Sequence, residues 1–216
     1  MRTLAIGDIH GCLNALKELV EKVNLQPQDT LITLGDYVDR GTHSKGVIDY
    51  LIELREKCNL ITLQGNHEEL MDKAFSESEM DMMMWFNVGG LATMYSYQRE
   101  ADIPEVPEIP EAHWDFIDAC LPYHETDTHI FVHGGLKPEV DIESQELNDL
   151  LWLRFDELKA HKSGKIIVCG HTPQRDHKIN DKGYAICIDT HVFAGGFLSC
   201  LDVDSGEVWQ AKESEE

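Results

Sequence analysis

The sequence predicts an α/β fold with a single site gathered at the ends of its strands, and three observations lead there. Six short apolar runs of strand type each end in a residue that can bind a metal. They are Thr3–Ile6 before Asp8 and His10, Leu31–Leu34 before Asp36, Leu60–Leu63 before Asn66 and His67, His129–Val132 before His133, Lys165–Cys169 before His171, and Ala185–Ile188 before Asp189. Strand and helix patterns alternate through the first half, as in a layered α/β arrangement. Beyond Lys165 the runs are separated by turns with little helix between them.

Taken in order, Thr3–Ile6 leads past Asp8 and His10 into Cys12–Val23, where Leu13, Leu16, Leu19, Val20 and Val23 fall at helical spacing. After Asp36, Ser44–Lys57 repeats the pattern with Val47, Ile48, Leu51, Ile52 and Leu54. A third helix starts over His67–Phe75, directly beyond the Gly65-Asn66 turn. From Ser76 to about Leu121 the pattern loosens into a Met-rich helix (Met80–Met84), Gly89-Gly90 and a Pro-spaced acidic loop, Ile103–Pro110. This stretch reads as an insertion within one domain spanning residues 1–216. The loop lacks basic residues and reads as an exposed connection rather than a polyproline docking ligand. The Met cluster, with Trp85 and Phe86, reads as core filling rather than a substrate groove. Ile166–Cys169, Tyr184–Ile188, Phe197–Val203 and Glu207–Ala211 are then expected to add a second, more antiparallel sheet.

Side chains at the carboxyl ends of neighbouring parallel strands converge on one crevice, so repeated Asp, Asn and His endings imply one site built from distant segments. Carboxylate, imidazole and amide together suit divalent Mn, Fe or Zn better than a thiolate cluster does. A chain of 216 residues fits one domain with a full core. Eighteen basic against 40 acidic residues, a net charge of -22, argue against nucleic acid or an anionic membrane as partner. A phosphate substrate stays open, because bound cations make a pocket locally positive inside an acidic protein. The six dispersed cysteines read as buried free thiols in a reducing compartment. No apolar stretch approaches the roughly 20 residues of a membrane span. Met1-Arg-Thr leads directly into a strand, so the expectation is a soluble, cytoplasmic protein without a signal peptide.

Gly7-Asp8-Ile-His10-Gly11, Gly35-Asp36-Tyr-Val-Asp39-Arg40-Gly41, Gly65-Asn66-His67-Glu68, His133-Gly134-Gly135 and Gly170-His171, in that order, resemble the signature blocks of the phosphoprotein phosphatase family of metallophosphoesterases. The resemblance runs from Asp8 to about Gly196. It implies a β-sandwich of two mixed sheets flanked by helices, α/β/β/α. It assigns Asp8, His10 and Asp36 to one divalent cation and Asp36, Asn66, His133 and His171 to a second, with Asp36 bridging. Mn2+ leads the expected metals, and Fe, Zn or Mg are alternatives. A hydroxide between cations roughly 3.5–4 Å apart would attack phosphorus directly. Glycine flanks the ligands where the backbone turns sharply and must approach the site. Arg40 and Arg154, the latter following a Trp as its family counterpart does, fit a phosphoryl clamp. His67, held by Asp39, fits the general acid. The implied activity is hydrolysis of phosphomonoesters, on phosphoserine or phosphothreonine proteins, with phosphotyrosine or small phosphoesters as further substrates.

Members that hydrolyse dinucleoside polyphosphates such as diadenosine tetraphosphate form the alternative; they tend to lack an Asp at position 39 and to carry Gly-Asn-His-Asp, whereas this chain has Asp39 and Glu68. Cys169–Arg175 also matches the C-x5-R spacing of cysteine phosphatases. Pro173 removes a backbone donor from the loop that chemistry needs, so the match reads as accidental. A binding scaffold without activity would not require His67. One departure stands out at Asp189-Thr190-His191, where most bacterial members have Asp-Thr-Gly: an imidazole replaces a residue that takes φ > 0 cheaply. His191 reads as a local adjustment without a catalytic role. His43, His113, His124, His129, His161 and His177 read as surface or packing residues.

Overall fold

The computed structural model describes residues 1–76, 78–98 and 107–214. Its first sheet contains β1 (Thr3–Ile6), β2 (Thr30–Thr33) and β3 (Asn59–Thr62), parallel to one another and linked by α1 (Leu13–Val23) and α2 (Ser44–Leu54). Beyond β3 come α3 (Asn66–Ser76), α4 (Glu79–Trp85), a π-helical turn at Phe86–Gly90, α5 (Leu91–Tyr97) and α6 (Glu111–Asp118). The remaining elements are β4 (Tyr123–Glu125), β5 (His129–Val132), α7 (Leu147–Trp152), β6 (Ile166–Cys169), β7 (Asn180–Asp181), β8 (Ala185–Cys187), β9 (Leu198–Asp202) and β10 (Val208–Ala211). The two sheets run in the order β10-β9-β1-β2-β3 and β4-β5-β6-β8-β7.

Alternation along the strands explains the layers. In β1, Leu4 and Ile6 face the helices while Ala5 faces the other sheet; in β5, Ile130 and Val132 face outward while Phe131 faces inward. Ala5, Ile32, Leu34, Leu63, Phe131, Val168, Ile188 and Leu201 form the apolar layer between the sheets. Leu16, Leu19, Val47, Ile48 and Leu51 cover the first sheet from outside, and Leu136, Leu150, Phe155 and Leu158 cover the second. Strands buried on both faces read as near-continuous apolar runs, which is why these six are conspicuous in the sequence. The α/β/β/α sandwich of two mixed sheets is as expected.

Two expectations need correction. The strands of the C-terminal part do not build the second sheet alone: β9 and β10 return to the first sheet, antiparallel to β1 and to each other, and the second sheet has a parallel centre, β5-β6-β8. The open edge of β1 offers unpaired backbone groups that β9 satisfies, a pairing that no local pattern announces. The Met-rich helix is not core filling throughout. Met80, Met83 and Met84 are exposed, while α4 packs on α3 through the face that carries Trp85 and the partly buried Met82. The loop expected over Ile103–Pro110 lies outside the described residues as far as Val106, and Pro107–Pro110 enters α6 without regular structure. All six cysteines are free and buried. Among the described residues no helix is long and apolar enough to cross a membrane.

Candidate metal centre

Each ligand-type ending follows a strand that runs parallel to its neighbour, so the six metal-ligand candidates arrive at one end of the sandwich from β1, β2, β3, β5 and β6. The structure brings all six together, and Asp8, His10, Asp36, Asn66 and His133 are nearly or fully buried. Asp36 lies in the middle. Its Oδ1 is 3.4 Å from His133 Nε2, and its Oδ2 is 3.4 Å from His10 Nε2 and 3.9 Å from His67 Nε2. Asp8, Asp36 and His133 present donor atoms within 4.8 Å of one another, as do His10, Asp36 and His67.

The imidazoles are oriented by the backbone. His10 donates Nδ1–H to the Val38 carbonyl (3.0 Å) and His133 donates Nδ1–H to the Leu34 carbonyl (2.8 Å). Each therefore turns an Nε2 lone pair inward, the arrangement in which a histidine binds a cation. Burial, foremost, pushes both rings below their ordinary range, so they stay neutral. His171, whose Nδ1 faces Asn66 Oδ1 at 2.9 Å, is pushed down to about 3 by burial and by His133.

His133 Nε2 also faces Asn66 Oδ1, at 2.8 Å. With its one proton on Nδ1, His133 sets a lone pair against a carbonyl lone pair, and Asp36 Oδ1 adds a third acceptor. Acceptors crowded together without a proton between them are favourable when a cation shares them. The carboxylates tell the same story. Burial raises Asp8 well above the usual carboxylate range, with Asp189 and Asp36 adding to it, and Asp189 rises to about 6 from burial in the first place. Clustered buried carboxylates need countercharge, which divalent ions supply. The residues present therefore fit two such ions.

The backbone is strained here. Among the described residues eight non-glycine positions have positive φ, and His10, Asp36, Asp39, Arg40, His171, His177 and His191 all belong to the site or its border; Asn24 merely caps α1. Strain held in this way marks a segment over-determined by its surroundings. Gly65 and Gly170 show why glycine flanks ligands: a Cβ at Gly65 would overlap Asp36 and Glu68, and one at Gly170 would overlap Asp8. The Glu68 carboxylate accepts the backbone N–H of Gly65 (2.9 Å), Asp36 (2.9 Å), Tyr37 (2.8 Å) and Val38 (3.3 Å), pinning the Asp36 loop to the start of α3. Burial and the Asp36 charge push this acid up to about 8, against four donors that favour its ionised form.

His67 donates Nδ1–H to Asp39 Oδ2 at 2.6 Å. Burial opposes a charge on this ring, but Asp36 and Asp39 outweigh it and raise His67 above the ordinary imidazole value. Asp39 is itself fully buried and accepts from Trp85 Nε1 (2.9 and 3.0 Å) and Thr93 Oγ1 (2.7 Å). Trp85 and Thr93 were missed by the sequence reading. A Trp in an apolar helix carries no sign that its indole N–H serves an aspartate 46 positions away. Arg40 donates to His10 Nε2 and His67 Nε2, both at 3.0 Å, and stacks over Phe193.

Above this floor opens a pocket of about 500 Å³ lined by Asp36, Arg40, Asn66, His67, His171 and Arg154, with Val88, Trp152, Pro173, Arg175 and His191 at its walls. Arg154 follows the end of α7 in extended backbone. His191 does face the pocket, in the left-handed conformation (φ 64) that glycine would adopt freely. Its N–H donates to Asp189 Oδ1 (3.0 Å), and its ring stacks on His177 with centroids 6.3 Å apart. Asp189, the sixth strand ending, stands buried behind Asp8, outside the expected ligand set. Cys169 is fully buried among apolar residues on the outer face of β6 and does not line the pocket, so it cannot meet a phosphate there. Of the other histidines, His113, His129 and His161 are buried packing residues.

Residues 1–196 match the family model described as calcineurin-like phosphoesterase. Serine/threonine-protein phosphatase 1 of Salmonella typhimurium is 30% identical over 208 residues, covering 90% of this chain and 88% of that protein. The symmetrical bis(5'-nucleosyl)-tetraphosphatase of Pseudomonas fluorescens is 28% identical over 147 residues, 68% of this chain. The chain spans only 46% of that relative's length. Among solved structures, a candidate diadenosine tetraphosphatase superposes with a TM-score of 0.75 at 21% identity, over 100% of this chain and 95% of that one. A cold-active protein-tyrosine phosphatase of a Shewanella species gives 0.64 at 15% identity, over 98% and 80%.

Proposed function

This chain belongs to the calcineurin-like phosphoesterase family, and from that premise we propose that it is a metal-dependent phosphatase of phosphomonoesters, acting on phosphoserine and phosphothreonine in proteins and extending to phosphotyrosine. One divalent cation would be held by Asp8, His10 and Asp36 and the other by Asp36, Asn66, His133 and His171, with Mn2+ the best match to this oxygen and imidazole set and Fe, Zn or Mg able to replace it. When bound, the pair supplies activation of the attacking water and charge neutralisation at the phosphoryl oxygens. Asp36 suits the bridge because its two oxygens face opposite imidazoles.

The chain's own groups carry the rest. Arg40 lines the pocket beside His10 and His67, and with Arg154 it would grip the phosphoryl oxygens. Once substrate draws Arg40 away from its Nε2, His67, whose protonated form Asp36 and Asp39 favour, would give its Nε2 proton to the departing oxygen while Asp39 holds Nδ1–H.

The observation that carries the monoester reading is the 2.6 Å His67–Asp39 pair, locked by Trp85 and Thr93. A serine alkoxide is a poor leaving group and needs an acid; a nucleotide phosphate leaving from an anhydride does not. The near full-length match to the Salmonella protein phosphatase supports it, and the six buried free thiols suit a reducing cytoplasm. The matches to symmetrical tetraphosphatases support a second reading, hydrolysis of dinucleoside polyphosphates. With Mn2+, a phosphoserine peptide is expected to show the higher kcat/KM beside diadenosine tetraphosphate; the reverse order favours the second reading.

A further inference from the structure

Arg154 and Arg175 are both exposed at the pocket, and neither guanidinium makes a hydrogen bond or ion pair with another described residue. That is unexpected in a chain with 40 acidic and 18 basic residues, where a guanidinium readily finds a carboxylate. Arg154 belongs to the wall of Trp152 and His171, whose rings meet edge to face at 5.9 Å. Arg175 lines the same pocket as His191, which is fixed by the Asp189 contact, by the stack on His177 and by the edge of Phe193 at 4.8 Å. One transferring phosphoryl group is already matched by Arg40 and Arg154. A third guanidinium, without an acidic partner among the described residues and lining the same pocket as an ordered imidazole, has no task in cleaving a lone monoester.

We propose that Arg175 and His191 form a second anion subsite, which takes a phosphate or carboxylate group placed next to the phosphoryl group being cleaved. The planar fork of Arg175 receives the two oxygens of that group and the His191 ring adds one N–H. Two substrate classes carry this chemistry: a phosphopeptide with an acidic or second phosphorylated residue beside the cleaved one, and a polyphosphate chain with its next phosphorus. This inference rests on the phosphatase reading of the same centre, but it concerns selectivity and not the cleavage step.

The test is a ratio within one Mn2+-loaded preparation. For wild type and Arg175→Ala, kcat/KM is measured on a phosphoserine peptide with neutral neighbours, on the same peptide with flanking aspartates, and on diadenosine tetraphosphate. Arg175→Ala is expected to lower the preference for a doubly anionic substrate over the neutral peptide about tenfold or more, because a hydrogen bond to a charged group is lost. Arg175→Lys should recover only part of it, keeping the charge without the fork. Loss confined to the aspartate peptide identifies a protein source for the second anion, and loss confined to diadenosine tetraphosphate identifies an anhydride source. Ratios that stay within about twofold for both substrates overturn the subsite. No turnover of any phosphopeptide by wild type would instead remove the protein-phosphatase reading; the subsite is then decided by the loss of kcat/KM on diadenosine tetraphosphate in Arg175→Ala relative to its loss on p-nitrophenyl phosphate, equal losses overturning it.

Discussion

On the floor of the pocket Asp36, Asn66, His67 and His133 are at most 4% exposed, whereas on the rim Trp152 is 37% exposed and Arg154 and Arg175 stand free in solvent. Floor residues are held by backbone carbonyls, by the Glu68 carboxylate and by left-handed backbone that neighbouring strands keep in place. Trp152 ends α7, and Arg154, Arg175 and His191 sit on the connections after α7, β6 and β8, where neither guanidinium has a partner among the described residues. The difference separates two tasks. A floor with no conformational freedom serves a cleavage chemistry common to a family. The loops above it can change without disturbing that chemistry, which accounts for protein phosphatases and dinucleotide hydrolases both appearing among the relatives.

The comparison breaks most visibly at Asp36. Asp36→Asn should cost metal and activity together, with turnover down by on the order of 10³-fold or more and bound metal, read by mass spectrometry, falling below that of wild type. A variant that keeps full metal content would detach the bridge from the centre. His67→Asn should keep its metal and lose about 10²–10⁴-fold in turnover on a phosphoserine peptide, with far less lost on p-nitrophenyl phosphate, whose leaving group needs no acid. Equal losses on both esters would remove the acid role.

Asp29 supplies a control far from the pocket. It is buried and takes Arg2 through the backbone N–H (2.9 Å), Nε (3.0 Å) and Nη2 (2.6 Å). Burial works against its charge, yet these bonds and the Gln26 N–H bring it down to about 2. Being depressed, it contributes stability above the ordinary Asp value of about 3.9 that is lost as pH falls towards about 2. Asp29→Asn should lower unfolding stability by about 2 kcal/mol at neutral pH and remove that acid-side loss, with turnover per folded molecule unchanged. If turnover falls in parallel, the floor effects cannot be told from plain destabilisation.

The smallest effect is expected at His191. Glycine adopts φ 64 without cost, so His191→Gly should raise stability by about 0.5–1 kcal/mol in a thermal melt, less whatever the His177 stack contributes. A loss of stability would show that this part of the rim is as firmly built as the floor.

Much of the floor was legible because its signals are local. Short apolar runs ending at Asp8, Asp36, Asn66, His133 and His171 name both the strand and the side chain it delivers to the pocket floor, and α1, α2 and α3 follow from helical spacing within a single segment. Left-handed backbone at position 191 was foreshadowed by the glycine that most bacterial family members carry there. Less legible were contacts that cross the chain: Trp85 and Thr93 reach Asp39 over 46 and 54 positions, and Met80, Met83 and Met84 face solvent because the other side of α4 packs on α3.

By itself the amino-acid order determined the ligand-type side chains at the strand ends, the helices between them and the convergence of parallel strand ends, because periodicity and side-chain chemistry act within a few residues. Only the tertiary structure decided that β9 and β10 close the first sheet, that an indole holds Asp39, and that Arg175 and His191 line one pocket. Those outcomes depend on which surfaces meet after the chain has turned back on itself, and backbone edges and unpaired charges accept many partners until packing selects one.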